Sequence, residues 1–572
     1  MRGRLIPRFV RLAIPYLNSE QRWVARGLLL LLVILMLADT SIAVLMNWQT
    51  GEFSTALAER DSEKYWKSTY YAIFLILLGF PTYGLYYYVR DRLTLHWRNW
   101  MTNDFMNKYF AERRYYQLTY STSIDNPDQR ISEDINSFTS KSIYFLLIFV
   151  ETFLQIIAFS GVLWMLSHTL VWVLIIYATV GTLLTTLVFG RPLVALNFFQ
   201  LRNEADFRFS LIRVRENAES IAFYRGEEKE KNYAQRRLAE VIANTRRLVN
   251  WQFFLNSFQS LYTSASYILP AIILAPSVLE GDMDVGAVVQ ATGAFAKIFS
   301  ALNVVVNKFD QLSNFTAGVG RLDRFSKTLH DIERNGESTA RIESNEITTA
   351  ETAGFENVTL ETPDRKRTLV EDLQLDIQSG MSLLIAGASG GGKSSLLRAF
   401  AGLWTTGKGN ISRPPLNDIL FLPQRPYMVV GTLRDQLLYP NNNSELSDAD
   451  LADALTKVRL PKLIERFGDL DAICDWSKTL SLGEQQRLAI GRVFLSGQKF
   501  VVLDEATSAL DEENESEIYE KLASTGVTLI SISHRPSVSR FHDHVLVLEG
   551  EGGWSLVTSE KYQADIAKAR GA

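Results

Sequence analysis

The chain has 572 residues, of which 47% are hydrophobic and 21% charged, and its net charge is −4. That length exceeds the roughly 100–200 residues of one domain, and the weak negative charge excludes a general nucleic-acid footprint. Its single cysteine, Cys474, excludes an internal disulfide and has no neighbour at metal-ligand spacing, so it reads as a packed thiol in a reducing compartment.

Apolar runs crowd the first half of the chain and charge crowds the second. The basic start "MRGRLIPRFVRLAIPYLNSEQRW" turns apolar at Trp23. The run that follows is longer than the roughly 7–15 residues of a signal-peptide core, and further spans come after it, so it is expected to stay as a first membrane helix. Six runs reach the roughly 20 residues needed to cross a bilayer. They lie at Trp23–Met46, Ser68–Val89, Ile143–Leu166, Leu170–Phe189, Phe253–Leu279 and Val285–Val306. Helices satisfy their own backbone in hydrocarbon, so each run is predicted as a helix. Arginine and lysine concentrate between Arg90 and Lys141 and between Arg191 and Arg247. The positive-inside rule then puts both long loops and both termini in the cytoplasm, with Asn47 to Lys67 outside.

The two inside loops keep a helical pattern past the bilayer, which predicts a stalk. Each carries a bend candidate, "DNPDQRISED" at Asp125–Asp134 and "ENAESIAFYRG" at Glu216–Gly226. A short helix there either docks on a soluble partner or is a solvated charged hairpin; docking fits the soluble domain that follows. Polar residues inside spans are costly and tend to face a bundle interior or a water path. Asn256, Gln259, Thr263 and Ser266 share one helix face, as do Gly293, Lys297, Ser300 and Asn307; Glu151 and Gln155 are an i, i+4 pair. These faces are expected to line a substrate cavity. Glu151 either contacts cargo or a proton there, or is neutralised by Lys297.

The stretch 331–354, "DIERNGESTARIESNEITTAETAG", is polar and without apolar period, so it reads as a linker between a membrane domain over 1–330 and a soluble domain over 355–572. Strand-like and helix-like segments alternate after it, the pattern of an α/β domain. "LLIAGASGGGKSSLLRAFAGL" gives strand, glycine-rich turn and helix, and fits G-x-x-x-x-G-K-[ST]. Gly387, Ser389, Gly390, Gly391, Gly392, Lys393, Ser394 and Ser395 are the set expected to hold the phosphates of ATP. Lys393 reaches the terminal phosphates, Ser394 ligates Mg²⁺, and the helix N-terminus adds partial positive charge. "KFVVLDEATSALD" is a buried strand ending in Asp504 and Glu505. Asp504 is placed to hold Mg²⁺, and Glu505 to deprotonate the attacking water. His534, after the strand of "TLISISHRPS", is positioned to sense the γ-phosphate. Gln424, in "ILFLPQRPYMV", is placed to contact Mg²⁺ or the water and to link the site to the membrane half.

"LSLGEQQR" starts a separate helix, whose Ser481 and Gly483 amide offer donors suited to a γ-phosphate, with Glu484 beside them. The combination resembles the ATP-binding cassette superfamily, in which this run is the signature motif. The resemblance implies that each signature closes over the nucleotide of the opposite cassette, so that this half-transporter pairs with a second copy. Within the superfamily, "NWQTGEFSTAL", "DNPDQRISED", "EADFRFSLIRVRENAESIAFYRGEE" and "DWSKTLSLGEQQRLAIGR" resemble class D, the peroxisomal acyl-CoA type, and its bacterial SbmA/BacA-like and YddA-like relatives. The resemblance implies an all-α six-helix transmembrane domain, exporter-type and domain-swapped, fused to an α/β P-loop nucleotide-binding domain. It also implies that "ENAESIAFYRG" docks on a cassette. Two departures stand out from the superfamily pattern. Leu482 and Glu484 replace the Gly and Gln of the common LSGGQ, as is typical of class D. Thr362 replaces the aromatic residue that stacks on adenine, and Arg365 is the candidate to stack in its place.

The expected function is ATP-driven transport of a bulky, hydrophilic solute such as cobalamin or peptides by a homodimer in a bacterial inner membrane, surrounded by lipid, with the cassette in the cytoplasm. The short N-terminus, without an extended targeting segment, favours that membrane. The alternatives are an acyl-CoA or fatty-acid transporter, or a membrane-anchored ATPase that gates or drives a partner.

Overall fold

The computed structural model describes residues 5–119, 126–339, 347–349, 352–404, 406–440 and 446–570. The chain divides into two compact units, Met1–Glu333 and Arg334–Ala572. Of the features expected from sequence, Asp125, the linker residues 340–346 and 350–351, and the Asn307 side chain lie outside the described residues.

In chain order the first unit contains α1 (Leu5–Leu17), α2 (Arg22–Glu59), α3 (Ser62–Phe110), α4 (Arg114–Thr119), α5 (Pro127–Gln129), α6 (Ile135–Leu166), α7 (His168–Leu184), α8 (Arg191–Glu216), α9 (Ala218–Tyr224), α10 (Glu227–Leu279), α11 (Val285–Asn307) and the start of α12 (Phe309–Thr339). Six helices among the described residues are long and apolar enough to cross a membrane, one on each apolar run of the sequence. At 1.5 Å per residue, the 49 residues of α3 and 53 of α10 extend about 70–80 Å, more than twice the roughly 30 Å hydrocarbon core. These helices therefore continue well past the bilayer as stalks. The first bend candidate starts at left-handed Asn126, φ 51°, and is helical from Pro127 into α6; the second is a break. Arg130–Asp134 is a π-helical turn before α6, and Arg225, left-handed at φ 54°, ends the short α9. The stretch Asn47–Lys67, expected outside, is the junction of two helices. It is helical except at Arg60 and Asp61, because a left-handed Arg60 closes α2 and the Asp61 carboxylate accepts the Glu63 and Lys64 N–H groups to start α3.

Small residues let the spans approach closely. A Cβ on Gly286 of α11 would lie 2.1 Å from the Gly51 carbonyl oxygen of α2, and the Gly286 N–H donates to Thr55 Oγ1 at 3.1 Å. Gly293 sits in the same crossing. A Cβ there would lie 2.2 Å from Asn47 Oδ1, and Asn47 Nδ2 donates to the Gln290 carbonyl. Gly293 therefore serves helix contact and not a cavity wall. At the other end of the unit, α1 is tied to α12. Asp323 is 1% exposed and is met by Arg11, Lys327 and Arg8 at 3.0, 3.0 and 3.7 Å. Arg321 and Arg130 both donate to Asp134, which fastens the π-helical turn to the same helix. Tyr16 of α1 stacks on Trp97 of α3 with ring centroids 5.3 Å apart.

The polar stretch 331–354 is not uniformly a linker: α12 continues through Thr339, since nothing in its first residues breaks a helix. The second unit then holds β1 (Ile347–Thr349), β2 (Ala353–Glu361), β3 (Thr368–Ile377), β4 (Ser382–Gly387), α13 (Lys393–Phe400), β5 (Gly407–Arg413), β6 (Ile419–Leu422), α14 (Leu433–Leu438), α15 (Asp448–Lys457), α16 (Leu463–Phe467), α17 (Trp476–Thr479), α18 (Leu482–Ser496), β7 (Phe500–Asp504), α19 (Glu512–Ala523), β8 (Thr528–Ile532), β9 (His544–Gly550), β10 (Gly553–Thr558) and α20 (Ser559–Arg570). Its main sheet has the order β10-β9-β4-β8-β7-β6 and is parallel except for β10. A smaller sheet, β1-β5-β2-β3, stands beside it. The strands β4, β7 and β8 are near-continuously buried, as expected when both faces of a parallel sheet are covered. Such sheets bind ligands beyond the carboxyl ends of their strands.

Replacing Asp323 with Ala removes the shared partner of three cations. Those cations are half exposed and water can solvate them, so the loss is expected to be about 2 kcal/mol. It is read as a lower midpoint of thermal unfolding in nanodiscs, and an unchanged midpoint would show that α1 is not clamped.

Candidate functional site

The phosphate loop begins where β4 ends. Gly387, Gly390 and Gly392 all have positive φ, at 139°, 77° and 93°. A Cβ on Gly387 would stand 2.3 Å from the Leu548 carbonyl oxygen, so the loop can leave the sheet here only with glycine. Ser389 and Gly391 complete the curl, with the Gly391 N–H on the Ala388 carbonyl at 3.1 Å. Lys393, Ser394 and Ser395 form the first turn of α13. Lys393 Nζ donates to the Gly387 and Ala388 carbonyls at 2.9 Å each. Burial pulls its ammonium below the ordinary lysine value, against the opposing pull of Glu505 and Asp504.

Asp504 closes β7, and its Oδ1 accepts the Ser394 hydroxyl at 3.1 Å. Burial pushes its carboxyl above the ordinary range, in spite of that hydrogen bond. Glu505 follows in a left-handed conformation, φ 49°, with its N–H on the Ile532 carbonyl of β8. A non-glycine residue there is strained, and such strain clusters at functional positions. Gln424 Nε2 reaches Glu505 Oε2 at 2.8 Å from the end of β6, and His534 Nε2 reaches Oε1 at 3.0 Å from beyond β8. The carboxylate is therefore held from both sides, by a residue from each flanking strand.

The donor set fits ATP and Mg²⁺. A glycine cradle, an ammonium and a helix N-terminus suit phosphate oxygens. Ser394 and Asp504 put two hard oxygen ligands side by side. Among the described residues there is no group of three or more His, Cys, Asp or Glu able to hold a metal by itself. Mg²⁺ is commonly bound in this way, by one or two protein oxygens together with substrate phosphates. When bound it neutralises charge on the phosphates and orients them.

Ser481 is the N-cap of α18 in a reciprocal box: Glu484 N–H donates to Ser481 Oγ at 3.3 Å, and Ser481 N–H donates to Glu484 Oε2 at 2.9 Å. Arg466 donates to the other Glu484 oxygen at 2.8 Å. Burial opposes ionisation of Glu484, but the Ser481 bonds and Arg466 outweigh it and hold the carboxyl below its ordinary value. Glu484, expected to face nucleotide, thus has its side chain engaged in the cap. Gly483 packs close, since a Cβ there would meet the Ala509 carbonyl at 3.2 Å. Thr362 spends its hydroxyl within its own turn, donating to Asp364 Oδ1 at 2.6 Å and accepting the Arg367 N–H at 3.2 Å. Arg365 projects into solvent from that turn.

The residues expected to share one membrane cavity fall into different places. Glu151 lines a cavity of ≈ 220 Å³ with Asp39, Arg90 and Tyr83, Tyr86, Tyr87 and Tyr144. Gln155 supports it from outside, donating to Glu151 Oε1 at 2.9 Å. Gln259, Thr263 and Ser300 line a second cavity of ≈ 200 Å³ with Ser266, Tyr267 and Thr185, and that lining carries no charge. Asn256 and Lys297 are exposed and line neither. Helix periodicity groups residues by face but does not say where along the helix a cavity ends. No ion pair joins Glu151 to Lys297 among the described residues. Asp39 was overlooked from sequence, although a carboxylate inside the run "LLLLLVILMLADTS" was its signal. Gln486 was also overlooked; a second glutamine after the signature was the only trace.

A cassette that gathers these groups at one sheet edge, in a chain whose described residues include six helices able to cross a bilayer, defines the class of ATP-binding cassette transporters. Residues 12–279 match the family described as ABC transporter transmembrane region 2, and residues 370–508 the ABC transporter family. An uncharacterised ABC transporter ATP-binding protein of Synechocystis is 45% identical over 94% of this chain and 82% of its own length. The chloroplastic ABC transporter D family member 2 of Arabidopsis thaliana is 37% identical over 94% of this chain and 85% of its own. The lysosomal cobalamin transporter ABCD4 of Homo sapiens is 32% identical over 94% of each. The chain belongs to the ABC transporters, in their class D group, as a half-transporter that couples ATP hydrolysis to transport across a membrane.

Glutamine at 484 can keep the box, because its side-chain oxygen still accepts the Ser481 N–H. Glu484→Gln is expected to leave ATPase activity within about threefold, whereas Glu484→Ala loses the reciprocal half of the box, at a cost of about 1 kcal/mol. Thermal unfolding and steady-state ATPase of the pair check this; equal losses in both variants would rule out the capping role.

Proposed function

We propose that two copies of this chain form a homodimer that moves a bulky hydrophilic solute, cobalamin or a peptide, across a bacterial inner membrane, with the cassettes in the cytoplasm. Residues 1–330 carry the cargo path and 355–572 hydrolyse ATP. The carrying observation is the neutral hydroxyl and amide wall of the second cavity, which at ≈ 200 Å³ is one polar stretch of a path that two copies would complete for a bulky solute. A solute rich in neutral hydrogen-bonding groups matches such a wall. The kinship with a lysosomal cobalamin transporter supports the same cargo, and the Synechocystis relative supports a bacterial membrane.

In this reading Lys393 and the amides of the phosphate loop hold the β- and γ-phosphates, while Ser394, Asp504 and Gln424 hold Mg²⁺. Glu505 takes the proton of the attacking water, His534 holds Glu505 and senses the γ-phosphate, and Gln424 reports the state of the site to the membrane half. Ser481 and the Gly483 amide serve the nucleotide of the partner copy. The pairing of α8 with α10 as a long hairpin supports a swapped arrangement. The exposed Phe223 and Tyr224 of α9, 79% and 86% accessible, supply the apolar tip that docks on a cassette of the second copy. Closure of the cassettes on ATP pushes these tips and reorients the cavity, and hydrolysis resets it.

Glu505→Gln keeps its shape but cannot accept a proton, so ATP turnover is expected to fall by about 10²–10³-fold with ATP still bound. The variant then accumulates as a closed, ATP-loaded dimer, seen by cross-linking and size. Single copies held apart in nanodiscs should lose turnover; full-rate monomers would end the homodimer reading. Uptake into vesicles by the purified wild type identifies the cargo. ATPase stimulation and uptake with cobalamin or peptide are expected; stimulation by acyl-CoA alone, or no uptake of any solute, would replace this cargo with the acyl or the gating alternative.

A further inference from the structure

Gln486 lies on α18 just past the first turn that Ser481 caps, and it is fully buried. Its side-chain amide makes three hydrogen bonds to two other segments. Nε2 donates to the Gln424 carbonyl at 3.0 Å and to Ser508 Oγ at 3.1 Å, and Oε1 accepts the Ala509 N–H at 2.9 Å. Both segments lead straight to the hydrolytic carboxylate. The Gln424 side chain is on Glu505 Oε2, and the Ser508 N–H is on the Glu505 carbonyl at 3.0 Å. The preceding Gln485 is turned elsewhere, onto the Ser477 and Leu480 carbonyls, so its amide fastens only the entry to the signature.

We propose that Gln486 is a positioning residue that makes the start of the signature helix, residue 424 and the Ser508–Ala509 turn move as one body, and thereby sets the placement of Glu505. The physical reason is burial. A buried amide that loses a partner leaves an unsatisfied polar group, so each of the three bonds resists separation of the segments it joins. Resting on the homodimer reading above, Ser481 faces the nucleotide of the partner copy while Glu505 acts on its own. Gln486 is then the link through which occupancy of one site is felt in the chemistry of the other.

The test uses the full chain in nanodiscs. Gln486→Met fills nearly the same volume and makes none of the three bonds. Its kcat for ATP is expected to fall at least tenfold while KM stays within threefold, and the Hill coefficient in ATP falls to 1. Ser508→Ala removes one acceptor and leaves the amide its other two bonds; kcat is expected to fall two- to fivefold at unchanged KM. If Gln486→Met does not fold, judged by its thermal midpoint, Ser508→Ala carries the test. Wild-type kcat and Hill coefficient in the folded variant, or a rise in KM that matches the loss of rate, would overturn the proposal. The Glu505→Gln variant separates the two readings. If it traps no ATP-loaded dimer, the homodimer fails by itself; if it traps one while Gln486→Met turns over normally, only the role of Gln486 fails.

Discussion

Glu505 is gripped at both carboxylate oxygens, by Gln424 on one and His534 on the other, and its own backbone is twisted into the left-handed region to meet them. This grip exists because β7 lies between β6 and β8 with all three parallel. Parallel strands end at one edge of the sheet and stand about 4.8 Å apart. Residues just beyond adjacent strand ends are therefore forced into mutual reach. The phosphate loop at the end of β4, one strand further on, meets the same edge, and the Ser394 hydroxyl bridges the distance to Asp504. The meeting of Ser394, Gln424, Asp504, Glu505 and His534 at one edge depends on this strand order.

The membrane unit solves a different problem. Its spans cannot be held together by the hydrophobic effect inside lipid, and they use close backbone approach instead. Gly51 against Gly286, with Thr55 bridging, and Gly293 against Asn47 bring α2 and α11 within reach of each other's backbone. Outside the bilayer the fastening is ionic, through buried Asp323 and Asp134, and both clusters converge on α12. That is also the helix through which the membrane unit passes into the linker.

The departures from the common signature also have local reasons. An acid at 484 satisfies the same capping box as a glutamine, since both carry a side-chain oxygen for the Ser481 N–H, and Arg466 balances the extra charge. Thr362 closes a tight turn with its hydroxyl, a role that an aromatic ring without that hydroxyl does not fill.

The sequence alone determined the elements whose cause is local. Six apolar runs demand helices in lipid, a glycine-rich turn between strand and helix demands a phosphate cradle, and Pro127 marks a helix start and Gly226 a break in the stalk. It also supplied the side chains that meet at the sheet edge, because Asp504 ends an apolar strand and Glu505, His534 and Gln424 each follow one closely. Only the tertiary structure decided what depends on residues far apart in the chain. It divided the polar faces of the spans between a charged cavity holding Asp39 and Glu151 and a neutral one holding Gln259 and Thr263, and it set Gly293 at a helix crossing. It also buried Gln486 among three segments. A side chain's partner across the fold is set by packing between elements, and the 3.6-residue period describes only the helix that carries it.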